Sequence, residues 1–102
     1  MQDAYIIGVG MTAFGRFLQR PLRDLAEEAV AAAISDAQLG YDDIQAISFA
    51  NAVQGAMEGQ FGVRGQAALA HLPLGSTPII NVENACASAS TALQLALTQV
   101  RG

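Results

Sequence analysis

The residue of this sequence best suited to covalent chemistry is Cys86, the only cysteine in 102 residues. It lies between an apolar run that predicts a strand, residues 78–82, and a periodic stretch that predicts a helix, residues 88–101. Unpaired amides and the helix dipole favour negative charge at a helix start, and the thiolate is the nucleophilic form of cysteine. We therefore interpret Cys86 as a candidate nucleophile.

A second interpretation of Cys86 stays open at this point. A free cysteine is often a small buried apolar residue without any chemistry. The neighbours of Cys86 are small, which suits close packing as well as the approach of a bulky substrate; they are Ala85, Ala87, Ser88, Ala89 and Ser90.

The first half of the chain predicts strand, helix and strand in that order. Residues 4–9 form a short apolar run that predicts a buried strand. Pro21 suits a first helical turn and Gly40 the position past a helix end, and apolar residues between them follow a helical period. Residues 41–43 predict a turn, and residues 44–50 a second strand.

The second half predicts a loop at residues 51–60, a weak helix at 61–72, a loop at 73–77 and a third strand that begins at Pro78. The helix at 88–101 follows, with Gly102 at its C-cap. This alternation of strands and helices predicts a single α/β domain with parallel strands, in the order β-α-β-α-β-α.

The segment Gly8-Val9-Gly10-Met11-Thr12-Ala13 matches the loose dinucleotide fingerprint G-x-G-x-x-A. No helix follows it directly, and the next strand, residues 46–50, ends without an acidic residue for a ribose. We therefore expect no bound cofactor, and we expect the two glycines to permit a tight turn.

His71 is the only histidine and the only candidate partner for a cysteine–histidine pair. It lies near the end of the weak helix, where a surface histidine is common, so a catalytic role for His71 is not favoured. We expect no metal site.

Composition narrows the class of protein. Hydrophobic residues make up 52% and charged residues 14%, so a core can form and much of the surface is expected to be covered by more chain or by a partner. A net charge of −4 argues against nucleic acid, and no apolar run reaches the length of a membrane span. The expected protein is soluble and cytoplasmic.

The segment VENACASASTAL, residues 82–93, resembles the nucleophile segment of the thiolase superfamily, and it is most similar to the sterol-carrier and lipid-transfer types. Two earlier segments also resemble thiolase segments, and they occur in the same order along the chain. They are YIIGVGMT at residues 5–12 and the stretch from Asn51 through Gly59 and Gln60 to Leu69. The resemblance implies the front part of the thiolase N-terminal domain, with the rest of that domain and the C-terminal domain absent from residues 1–102.

The resemblance implies acyl transfer on coenzyme A thioesters through a Cys86 acyl-enzyme, by thiolysis of a 3-ketoacyl-CoA or by Claisen condensation. The Cys86 amide would supply one oxyanion-hole donor. The histidines and second cysteine of the family lie in later motifs, so the isolated chain is expected to be inactive. Where thiolases often have glycine, this sequence has Ala87 and Ala89, which leaves acyl size open.

Two alternatives remain: a decarboxylating ketoacyl synthase, and a non-catalytic subunit or fragment. The resemblance also implies a homodimer or higher oligomer, in which the strand at residues 78–83 is an edge strand that pairs with its copy. The remaining thiolase chain is a further possible partner. The sequence leaves open the acyl or sterol specificity, the direction of reaction, the true C-terminus and the organelle.

Overall fold

The computed structural model describes residues 2–59 and 62–102. These residues form four α-helices, two single-turn 3-10 helices and one parallel sheet of two strands. In chain order the elements are α1 (Leu22–Ala37), a 3-10 turn (Tyr41–Asp43), β1 (Ile47–Ala50), α2 (Gln54–Glu58), α3 (Arg64–Ala68), β2 (Ile79–Val82), a 3-10 turn (Ala85–Ala87) and α4 (Ser88–Arg101). The chain is therefore α/β, as predicted.

The two-stranded sheet lies between two layers of helices. Ile47 pairs with Ile79 and Ala50 with Val82, so the two strands run parallel and in step. Helix α3 covers the face that carries Phe49, because Gly65 brings its backbone against Phe49 and Ile79. Helix α4 covers the other face, next to Ser48 and Ala50, and α1 packs outside α3. Side chains alternate between the faces of a strand, which is why one short sheet can support both helices.

Small side chains fill the tightest contacts. Ala68 and Leu69 at the end of α3 are each 3% exposed, and Ala92 of α4 is 7% exposed. Two of these three buried side chains are alanine, and their short length lets the helices approach the sheet closely.

Glu58 ties the starts of two helices together. Its Oε2 accepts a hydrogen bond from the Leu22 amide at 2.8 Å, where α1 follows Pro21 and has no side-chain cap of its own. Its Oε1 accepts from Arg64 Nη2 at 2.8 Å, at the start of α3. A carboxylate satisfies an unpaired amide well at a helix N-terminus, so Glu58 acts as a cap that comes from another element.

The predicted strand at residues 4–9 is wrong for this structure. Those residues have no regular secondary structure, and Tyr5 and Ile6 are 79% and 76% exposed. The extended chain lies along α1, and the Val9 amide donates to Asp36 Oδ2 at 3.0 Å. A strand needs a neighbouring strand for its backbone hydrogen bonds, and β1 and β2 pair with each other instead.

The glycines of this segment serve a purpose other than the predicted turn. Neither Gly8 nor Gly10 has a positive φ. A Cβ on Gly8 would meet Ala33 O and the Ala37 side chain, and a Cβ on Gly10 would meet Ala29 O. The glycines therefore allow the backbone to pack directly against α1.

Four other features differ from prediction. The second strand begins at Ile47 instead of residue 44, because the Ile47 amide bonds Pro78 O, just before the first paired residue of β2. The predicted loop at 51–60 contains α2, and the helix predicted at 61–72 is shortened to Arg64–Ala68. Gln60 and Phe61 lie outside the described residues. At the end of α1, the left-handed residue is Gln38 (φ 58°) in place of Gly40.

Helix α4 matches its prediction residue for residue. It spans Ser88–Arg101, and the Gly102 amide donates to Thr98 O at 2.7 Å as the C-cap. Strand β2 spans Ile79–Val82 and lies at an edge of the sheet within residues 2–59 and 62–102. The connection between β2 and α4 therefore lies where the sequence puts it, with Cys86 inside it.

Candidate functional site

Cys86 lies in the middle of a single 3-10 turn between β2 and α4, and it is exposed. We call residues 84–88 the Cys86 turn. Within residues 1–102 the Cys86 side chain is therefore open to the surface. Because α4 begins at Ser88, the cysteine lies two residues before the first residue of a 14-residue helix.

A buried hydroxyl closes the Cys86 turn. Ser88 is 6% exposed, and its Oγ accepts a hydrogen bond from the Asn84 amide at 2.8 Å. The same hydroxyl donates to Ala85 O at 2.7 Å. One side chain thus uses both its donor and its acceptor on the two residues that precede Cys86.

Ala85 has an unusual backbone. Its φ is +49°, in the left-handed region that residues other than glycine rarely adopt. Its amide donates to Glu83 Oε2 at 2.7 Å. With the Ser88 bond to its carbonyl, both backbone polar groups of Ala85 are bonded to side chains.

A second pair of side chains joins the turn to α4. Asn84 Nδ2 donates to Thr91 Oγ1 at 3.0 Å, and Thr91 Oγ1 donates to Ala87 O at 2.8 Å. Ser90 Oγ also donates to Ala87 O, at 3.1 Å. The carbonyl of Ala87, the residue after Cys86, is therefore held by side chains from the first turn of α4.

A cleft of about 290 Å3 opens at the carboxyl ends of β1 and β2. Its lining is mostly apolar and includes Phe49, Val53, Val63 and Val82. Glu83, whose carboxylate bonds the Ala85 amide, lies on its wall. Ligands of parallel α/β sheets bind at this end of the strands. The cleft and the Cys86 turn thus share Glu83.

The wall formed by α3 is fixed to β2 by amide side chains. Asn81 Oδ1 accepts from the Gly65 amide at 2.6 Å, and Asn81 Nδ2 donates to Gln66 Oε1 at 2.7 Å. Gln66 Nε2 in turn donates to Ile79 O at 3.1 Å. The N-cap of α3, Val63, has φ +44° and no side-chain cap, so Asn81 satisfies an amide that α3 leaves free.

His71 does not pair with Cys86. The His71 ring is exposed, and its Nε2 lies 3.4 Å from Arg23 Nη1 on α1. Helix α1 packs on α3, whereas Cys86 precedes α4 on the other face of the sheet. The structure therefore gives no support to a cysteine–histidine pair within this chain.

Sequence reasoning singled out Cys86 but gave no role to Glu83, Asn84, Ser88 or Thr91. The sequence does contain a pattern that indicates these four residues, because polar side chains at these spacings around a strand-to-helix junction commonly bond nearby backbone groups. Asn81 left no local signal, since the amide it satisfies lies 16 residues away.

Among the described residues, no helix is long and apolar enough to cross a membrane. Within the same residues, no three side chains of His, Cys, Asp or Glu group as a metal ion requires.

Comparison with known proteins gives consistent results. The sequence profile of the thiolase N-terminal domain matches residues 4–102. Human sterol carrier protein 2 is 39% identical over 106 residues, which cover 100% of this chain and 18% of that protein. Non-specific lipid-transfer protein-like 2 of Caenorhabditis elegans is 41% identical over 96 residues, with 89% and 21% covered.

An archaeal protein is similar to the same extent. Acetyl-CoA acetyltransferase of Methanocaldococcus jannaschii is 37% identical over 100 residues, which cover 98% of this chain and 25% of that protein. The chain thus spans between about a fifth and a quarter of the length of these three relatives.

Proposed function

Because this chain belongs to the thiolase family, through that family's N-terminal domain, we propose that it is part of an acyltransferase acting on coenzyme A thioesters. The observation that carries the proposal is an exposed Cys86 two residues before α4, inside a family match over residues 4–102. The name of the archaeal relative, an acetyl-CoA acetyltransferase, supports an acyl-CoA as the substrate.

In the proposed reaction, the Cys86 thiolate attacks the carbonyl carbon of an acyl-CoA. A bond forms between the sulfur of Cys86 and that carbon, and the bond from the carbon to the coenzyme A sulfur breaks. Coenzyme A leaves as a thiolate, and the acyl group stays on Cys86 as a thioester. The acyl group then passes to the carbanion of a second acyl-CoA: a carbon–carbon bond forms, the bond to the Cys86 sulfur breaks, and Cys86 leaves as a thiolate. In the thiolysis direction, Cys86 attacks the 3-keto carbonyl of a 3-ketoacyl-CoA, the bond between carbons 2 and 3 breaks, and the acyl group passes from Cys86 to coenzyme A.

We assign the Cys86 amide as one donor to the negative oxygen that forms during the attack. An amide at a helix start is suited to that role, because the helix leaves it without an intrahelical partner. The apolar cleft that shares Glu83 with the turn supports an adjacent place for an acyl group.

Within residues 2–59 and 62–102, no histidine and no second cysteine lies beside Cys86 to move protons in the reaction. The single histidine contacts Arg23 instead. We therefore propose that the acid–base groups come from sequence beyond residues 1–102 or from another chain, and that residues 1–102 alone do not turn over substrate.

We also propose that the free edge of β2 pairs with its copy in a second subunit. An apolar strand edge favours pairing with another chain, and Ile80, 42% exposed, is a side chain that such a subunit would cover. Light scattering of the protein that contains this chain reports its number of subunits directly.

Acetylation by acetyl-CoA tests the assignment of Cys86. The sequence contains no lysine, so the common side-chain target of accidental acetylation is absent. In the protein that contains this chain, we expect mass analysis of the peptides from residues 1–102 to show one added acetyl group that hydroxylamine removes, since hydroxylamine cleaves thioesters. Cys86→Ala should show no such adduct. We also expect residues 1–102 alone to catalyse thiolysis of a ketoacyl-CoA no faster than the Cys86→Ala variant does.

Three outcomes contradict parts of the proposal. A hydroxylamine-sensitive adduct that persists in Cys86→Ala excludes Cys86 as the acylated residue. If the protein that contains this chain takes up no acetyl group on Cys86, a non-catalytic subunit is favoured. Steady thiolysis by the chain refutes the proposal that acid–base groups come from elsewhere.

A further inference from the structure

The residue before Cys86 is held in a conformation that it does not favour. Ala85 has φ +49°, and a left-handed residue with a Cβ persists only where its surroundings enforce it. Glycine would adopt this conformation without strain, yet residue 85 is alanine. Some contact therefore has to hold Ala85 in place.

Two side chains supply that contact. Glu83 Oε2 accepts from the Ala85 amide at 2.7 Å, and Ser88 Oγ donates to the Ala85 carbonyl at 2.7 Å. Ser88 also accepts from the Asn84 amide at 2.8 Å, and its burial at 6% exposure shields these bonds from competing water. The peptide groups on both sides of Ala85 are thus bonded to side chains.

We propose that Ser88 and Glu83 are positioning residues that hold Ala85 in its left-handed conformation and thereby aim the Cys86 amide. This inference rests on the proposed function, in which that amide donates to the reacting oxygen. The Ala85 carbonyl and the Cys86 amide belong to one planar peptide group, and in a trans peptide they point in opposite directions. A hydrogen bond from Ser88 to the carbonyl therefore fixes the direction of the Cys86 N–H.

The same bond adjusts the strength of that donor as well as its direction. A carbonyl that accepts a hydrogen bond polarises its peptide group, and the N–H of the group becomes a better donor. Preorganised donors contribute to catalysis because they need no rearrangement when charge develops. Ser88 acts on the reaction through the peptide and has no contact with substrate in this proposal.

The alternative is that Ser88 only stabilises the fold, and two reactions of the same sulfur separate the two roles. Acetylation by acetyl-CoA passes through a negatively charged oxygen that the Cys86 amide would bind. Alkylation by iodoacetamide consumes the same thiolate but forms no such oxygen. We expect Ser88→Ala to slow acetylation about ten- to a hundredfold and to change alkylation less than about twofold.

Two variants serve as controls for this comparison. Ser88→Thr keeps the hydroxyl and should restore much of the acetylation rate. Ser90→Ala removes a neighbouring helix hydroxyl that bonds Ala87 O and leaves the bonds of Ala85 intact, so both rates should stay near those of the parent chain.

The backbone itself provides a readout that does not depend on activity. The carbon chemical shifts of Ala85 report its left-handed conformation, and amide hydrogen exchange reports the bonds of Asn84 and Ala85. We expect Ser88→Ala and Glu83→Ala to move the Ala85 shifts and to speed exchange at those amides. Glu83→Gln, which keeps an oxygen acceptor, should have a smaller effect on both.

The outcomes are distinguishable. If Ala85 keeps its shifts in both alanine variants, or if acetylation and alkylation fall equally in Ser88→Ala, the positioning role is refuted. If the protein that contains this chain takes up no acetyl group on Cys86, the proposed function fails, and the Ala85 shifts alone then decide whether Ser88 and Glu83 hold this backbone.

Discussion

The N-terminal segment, residues 2–13, and the Cys86 turn each lead toward a long helix, α1 and α4, but they are held by different kinds of contact. In the N-terminal segment, Val9 bonds Asp36, which lies 27 residues away, and Gly8 and Gly10 pack on α1. Its apolar side chains remain exposed, with Tyr5 at 79% and Met11 at 74%.

The Cys86 turn is held by side chains close to it in sequence. Glu83, Asn84, Ser88 and Thr91 form hydrogen bonds that span between two and seven residues. Closing a short loop costs little conformational entropy, so such contacts form readily once the helix forms. Contacts across 27 residues depend instead on the packing of the whole chain.

The comparison teaches where rigidity resides in this domain. The Cys86 turn follows β2, and α3 packs closely on β2 at Gly65, so we expect added volume in that layer to be costly. The N-terminal segment lies on the outside and can move away from α1, so we expect added volume there to cost less. Substitution of glycine by alanine in each region tests this difference directly.

The largest effect is expected for Gly65→Ala, in the layer that supports β2. A Cβ at this position would lie 2.7 Å from Ile79 Cγ2, 2.8 Å from Phe49 Cβ and 3.0 Å from Asn81 Oδ1. Since helix and sheet are both fixed here, we expect the free energy of unfolding to fall by about 1–3 kcal/mol. Denaturant unfolding followed by circular dichroism measures the change.

Gly62→Ala is the matched control for that measurement. A Cβ on Gly62 would meet nothing within 4 Å, and its φ lies outside the left-handed region. The substitution should be neutral or stabilise by up to about 1 kcal/mol, because alanine restricts the unfolded chain. Equal losses in Gly65→Ala and Gly62→Ala would contradict the close packing of α3 on the sheet.

The same contrast explains which elements could be predicted from the sequence. The bounds of α4, the Gly102 cap and the position of Cys86 follow from local patterns, and all three hold in the structure. The predicted N-terminal strand fails because apolar composition does not reveal whether a neighbouring strand will pair with it. Local periodicity describes an element, whereas pairing is decided by the rest of the fold.

The candidate site divides in the same way. The sequence pattern gives the nucleophile candidate and, with closer attention to spacing, would also give Ser88 and Glu83. It cannot give the Asn81 bond to Gly65 or the Glu58 cap on Leu22, because each satisfies an amide of a distant element. Only the packed structure brings those groups together.

A smaller effect is expected for Gly10→Ala in the N-terminal segment. A Cβ on Gly10 would meet Ala29 O and lie 2.6 Å from Ala33 N, so this position is more crowded than that of Gly65. The segment can relieve this clash by leaving α1, so we expect less than about 1 kcal/mol of lost stability. Amide hydrogen exchange at Val9 should nevertheless accelerate, since its bond to Asp36 would open. A loss as large as that of Gly65→Ala would show that the two regions are equally rigid.

The smallest effect is expected for Asp36→Ala, which removes the acceptor of the Val9 amide and adds no volume. The carboxylate is exposed and its 3.0 Å bond competes with water, so overall stability should change by no more than about 0.5 kcal/mol. Hydrogen exchange at Val9 should accelerate while exchange at Asn84 in the Cys86 turn stays unchanged. Asp36→Asn keeps an oxygen acceptor and should retain part of the Val9 protection. If Asp36→Ala also accelerated exchange at Asn84, the N-terminal segment and the Cys86 turn would open together. That result would contradict the view that contacts close in sequence hold the turn independently of the N-terminal segment.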